Sequence, residues 1–78
     1  MKPIEILSNI NHFVKNNIKS LAKELYTVEN SKTITPASGT LRVLCTMCQE
    51  LSSNPMILAS HLIKDEVLKN YINELDAS

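Results

Sequence analysis

This sequence is short of most things that a small secreted protein or a small enzyme depends on. It has two cysteines in 78 residues, too few for the disulfide framework that staples small extracellular domains. Its single glycine rules out a glycine-rich loop cradling phosphates. There is no tryptophan, one phenylalanine and only two tyrosines, so any core must be aliphatic. Charge of one sign is missing as well: eight basic and eight acidic side chains cancel, whereas a nucleic-acid binder usually carries a basic excess that neutralises phosphates. The longest unbroken apolar run is Met56 to Ala59, against the roughly 20 apolar residues of a membrane span. At the start of the chain, Glu5 falls where a signal peptide would need an apolar core, and Ser8, Asn9 and Asn11 follow. The expected home is the cytoplasm, where thiols stay reduced.

Catalytic patterns are wanting too. There is no nucleophile elbow and no HExxH string. Asp65 and Glu66 are neighbours in sequence, so on a helix they point about 100° apart and do not form a dyad. The expectation is a protein that is not an enzyme and that takes no metal or other cofactor.

What the chain does have is leucine and isoleucine in helical register. Hydrophobic residues make up 44% and charged residues 21%, which is too apolar for disorder at zero net charge. In the first segment, about residues 3–26, Leu7, Ile10, Val14, Ile18, Leu21 and Leu25 recur at three- and four-residue steps, tracing one stripe of an α-helix. Pro3 suits a first helical position. Asn16 and Asn17 are weak helix formers that favour a bend. Residues 27–35 read as a polar connector, with Ile34 as a tether to the core. The second segment, about 36–52, carries Ala37, Leu41, Leu44, Cys48 and Leu51 on one seam, with Thr35 as cap and Pro36 at the first position. Gly39 moves the expected start toward Ser38, since glycine inside a helix costs about 1 kcal/mol. Asn54 or Ser53 caps a third segment that begins at Pro55 and runs to about residue 75. There Ala59, Ile63, Val67, Tyr71 and Leu75 fall every fourth residue, and Lys64-Asp65-Glu66 marks a candidate hinge.

These segments predict an all-α fold in one domain, 1–78: a small three-helix bundle with a long first helix, packing as a dimer. The dimer follows from the mismatch between a wide apolar stripe on every segment and the small interior that 78 residues can enclose. Leu21 and Leu44 are its candidate contacts. The layout of short connector, leucine-rich second helix and proline-started third helix is similar to that of short enterobacterial biofilm and acid-resistance regulators. No residue role is carried over from that likeness.

Four features invite a functional reading. Cys45-Thr46-Met47-Cys48 has C-x-x-C spacing, but no strand precedes it and Cys48 lies on the apolar seam; packing as small hydrophobes is favoured over redox or zinc chemistry. His12 and His61 complete a two-Cys, two-His inventory, yet stand alone on separate segments, far from the tight spacing of zinc modules. Lys15, Lys19 and Lys23 step by four, forming either a short basic stripe or an ordinary solvated face. Met56, Ile57 and Leu58 stand where a helix-turn-helix would put base-reading residues, but offer neither hydrogen bonds nor charge. They read instead as the end of a bundle or an adaptable apolar contact. The leading expectation is a small regulatory or adaptor protein acting through protein–protein contacts as a homodimer or on another protein. The alternative is a nucleic-acid-associated transcriptional regulator using the lysine stripe. No membrane partner is expected.

Overall fold

A computed structural model describes residues 2–32 and 36–77. Every regular element among them is helical: α1 (Pro3–Asn16), α2 (Ile18–Ser31), α3 (Thr40–Cys48) and α4 (Pro55–Ala77). The count is four helices rather than the three expected, because the long first segment breaks at Asn17. Its side-chain Nδ2 donates to the Phe13 carbonyl at 2.9 Å, and its own N–H reaches back to the Phe13 and Val14 carbonyls. Asparagine offers the backbone this local alternative to a continuing ladder, and the chain bends there.

The second half of that segment also runs further than residue 26. Val28, seven positions after Leu21 and three after Leu25, extends the apolar stripe and packs against the core. The helix therefore continues to Ser31, where Lys32 ends it in a left-handed conformation at φ 59°, a common way for a helix to stop. Thr35 and Ile34 lie outside the described residues. Pro36 is buried but not helical. Gly39, at φ 93°, holds the chain in a conformation that L side chains avoid, so α3 starts only at Thr40. At the other end Leu51 and Ser52 donate to the Cys48 carbonyl at 3.0 Å each, which closes α3 earlier than expected. Pro55 opens α4 as anticipated, with the Asn54 carbonyl accepting from Ile57 and Leu58. No hinge interrupts α4 at Lys64–Glu66; the helix is continuous over 23 residues.

The core is aliphatic. Ile10 and Val14 from α1, Leu21 and Leu25 from α2, Leu41, Leu44, Cys45 and Cys48 from α3, and Ala59 and Ile63 from α4 are all buried. Burying a large aliphatic side chain contributes about 1.5–3 kcal/mol, and α3, although only nine residues long, supplies four of these buried positions. The short helix is thus the centre against which the other three pack. Only the first half of α4 takes part. From Val67 onward each of its described side chains is exposed, so the last three turns, here termed the arm, add nothing to the buried core. No described helix is long and apolar enough to cross a membrane.

Candidate interaction face and the buried sulfur cluster

The C-x-x-C pair sits at the C-terminal end of α3, with both thiols free and buried. Cys45 Sγ lies 3.6 Å from Met56 Sδ, so the pair helps to seat the first turn of α4 on α3. Burial, followed by proximity to Cys45, pushes the Cys48 thiol from its ordinary 9.0 up to about 11. Burial also raises the Cys45 thiol, with the Arg42 charge pulling part of the way back. The negative end of the helix dipole adds no help to a thiolate here. Reactive cysteines need the opposite setting, an electropositive and partly exposed one. The arrangement does the work of packing. His12 on α1 and His61 on α4 are both exposed, and the described residues contain no group of three or more His, Cys, Asp or Glu able to hold a metal ion.

The lysine series is divided by the break at Asn17. Lys15 belongs to α1, while Lys19 and Lys23 belong to α2. Lys15 lines a shallow groove between α1 and α4 together with Asp65, Glu66 and Lys69. Lys23 faces a different hollow, beside Glu24 and the residues leading to α3. Lys15 and Lys23 therefore line different hollows.

Leu21 and Leu44 are fully enclosed, at 0% exposure. They hold the bundle together and offer no surface to a partner. Met56 and Leu58 are half-buried against the core, and Ile57 is exposed. Met56 and Ile57, with Leu25 and Val28 of α2, form the apolar walls of an α2–α4 cleft of about 490 Å³, whose rim carries Glu29, Lys32, His61 and Lys64. Across it the Lys64 ammonium meets the Glu29 carboxylate at 3.0 Å. Both side chains are well exposed, which limits such a pair to at most about 1 kcal/mol.

A run of exposed apolar side chains lies along the arm. Val67, Leu68, Tyr71, Ile72 and Leu75 are 43 to 58% exposed. At about 100° per residue they fall within an arc of about 140° on one side of α4, turned away from the side that buries Ala59 and Ile63. Helix α4 is thus apolar on two faces, of which the bundle covers one. An all-round apolar helix is normally enclosed on every side, and contiguous exposed patches of this kind mark contact sites. Reading the sequence for core positions placed Val67, Tyr71 and Leu75 in the interior series; what could have singled them out was the rotation of that series around the helix. Comparison with protein-family models, with curated proteins and with solved structures finds no match to this chain.

Proposed function

We propose that this protein is a small, non-enzymatic regulatory or adaptor module that acts through protein–protein contacts and works as a homodimer. The observation that carries the reading is the second apolar face of α4. Five large apolar side chains stand 43 to 58% exposed along the arm. Each forgoes part of the roughly 1.5–3 kcal/mol that full burial of such a side chain provides. A 78-residue chain with reduced thiols has few other routes to added stability than association. A twofold dimer is the simplest closed assembly that covers one such face with another.

Sedimentation equilibrium of the purified chain tests this. The wild type should weigh as a dimer, and Leu68→Glu should weigh as a monomer of unchanged helicity. A variant that associates as well as the wild type removes the arm from the reading. Affinity capture with wild-type and Leu68→Glu baits from the native host then identifies any protein whose binding needs the same face.

A further inference from the structure

The exposed face of α4 is not uniform from end to end, and its two ends are complementary. At about 100° per residue, Ile57, Lys64, Leu68, Tyr71 and Leu75 fall within an arc of about 60°, so they form one straight line along the helix. That line is about 27 Å long at 1.5 Å per residue. Its first end is the α2–α4 cleft, where the exposed Ile57 is rimmed by Lys32, His61 and Lys64 with one acid, Glu29. Its other end is the tip of the arm, where Leu75 is flanked by Glu74 and Asp76. One end is apolar with a rim of Lys32 and the Lys64–Glu29 pair, a net positive charge; the other is apolar and flanked by two acids.

We infer that the occupant of the α2–α4 cleft is the arm tip of a second copy of this chain, with the two α4 helices antiparallel and each tip seated in the other's cleft. This rests on the reading of α4 as an association face and adds its direction and register. A twofold axis across α4 near Glu66 lays the partner's Leu75 over Ile57 and the partner's Leu68 over the Lys64 stem. It brings Glu74 and Asp76 of each tip beside Leu58 and Met56 at the other's cleft, which Lys32 rims, with Lys64 about two turns further along. Because the contact is isologous, each complementary meeting occurs twice. A parallel pair would set tip against tip and cleft against cleft, juxtaposing like charges at both ends, which disfavours that arrangement. The arm is available for this contact because every described side chain from Val67 to Ala77 is exposed.

The test is a charge-reversal cycle read by sedimentation equilibrium at low salt. One chain carries Lys32→Glu and Lys64→Glu, a second carries Glu74→Lys and Asp76→Lys, and a third carries all four. All four positions are exposed, and circular dichroism verifies that each variant keeps its helicity. Each half-reversal should weaken the dimer by about tenfold or more, since every change counts twice. The four-fold reversal should recover affinity to within about threefold of wild type. Losses that simply add in the combined chain, or half-reversals without effect, overturn the tip-in-cleft register. If Leu68→Glu still dissociates the dimer in that case, the association face itself stands. A wild type that remains monomeric at high concentration overturns this inference and the homodimer together.

Discussion

The carboxylate of Glu24 caps a helix to which it does not belong. From the middle of α2, its Oε1 accepts the backbone N–H of Leu41 at 3.1 Å, meeting one of the free donors in the first turn of α3. The negative charge also suits the positive end of that helix. Helix α3 needs such outside help because its N-cap residue is Gly39, which has no side chain to cap with. Gly39 is in turn what lets the carboxylate approach: a Cβ placed there would collide with the Glu24 carboxylate.

Two substitutions test this relationship. Glu24→Ala should destabilise the fold by about 1 kcal/mol, and Glu24→Gln, which keeps an acceptor, by less. Gly39→Ala should cost about 1–3 kcal/mol from the backbone conformation alone, with a further loss from displacing the carboxylate. The double variant Glu24→Ala, Gly39→Ala should therefore fall short of the sum of the singles, because the collision is gone. Urea denaturation of the four proteins measures the coupling; strict additivity would show that the two residues act independently.

The thiols give a pH dependence of defined sign. Cys48 titrates at about 11 in the folded chain against 9.0 ordinarily, so the folded state resists an ionisation that the unfolded state allows. The stability contributed by the neutral thiol is complete below about pH 9 and is lost as pH rises toward about 11. Thermal melts should accordingly drop across that window, and the drop should shrink in Cys48→Ala. The neutral, buried thiols should also alkylate slowly at pH 7 in the folded protein and fast in denaturant. A Cys45→Ala, Cys48→Ala chain should fold with a combined loss of about 2–3 kcal/mol, and a chelator should leave the wild-type melt unchanged. Rapid alkylation of the native protein would contradict the packing role.

Along α4 the consequences of truncation should change abruptly. Ile63→Ala opens a hole in the core and should cost about 2–5 kcal/mol. Leu68→Ala and Leu75→Ala remove exposed groups and should change the stability of the isolated subunit by no more than about 0.5 kcal/mol. Melts at concentrations low enough to keep the chain monomeric separate the two classes. A large loss at Leu75 would mean that the arm packs on its own body.

That division marks where the sequence stopped being readable. The series Ala59, Ile63, Val67, Tyr71 and Leu75 advances by four, and each step of four turns about 40° past a full rotation. Over sixteen residues the series winds from the bundle to the opposite side, so a pattern that counts as one stripe locally becomes two faces over five turns. The α1 and α2 stripe mixes steps of three and four, drifts little, and supplied Ile10, Val14, Leu21 and Leu25 to the core. All-helical character, the proline start of α4 and the burial of Cys48 were likewise legible, each resting on local pattern. The break at Asn17 was legible only as a preference of asparagine, and the delayed start of α3 only as the cost of Gly39. The Glu24 cap was not legible, since it joins positions 17 apart in sequence through tertiary packing. The cleft escaped for the same reason: Leu25 and Val28 meet Met56 and Ile57 only once α2 and α4 are side by side.

Folding and association should be separable by substitutions on the two faces. Leu21→Glu and Leu44→Glu force a charge into fully enclosed positions, where an unpaired carboxylate is incompatible with the packed state; both chains should be unfolded and therefore unable to associate. Leu68→Glu and Tyr71→Glu place the charge on the exposed arm, where water solvates it in the monomer. Those chains should keep their helicity and lose self-association alone. The thermal midpoint distinguishes the classes without a separate binding assay. When dissociation is linked to unfolding, the midpoint rises with protein concentration. The wild type should show that rise, Leu68→Glu a midpoint independent of concentration, and Leu44→Glu no cooperative transition. A wild-type midpoint that stays constant over a hundredfold or so in concentration would overturn the homodimer.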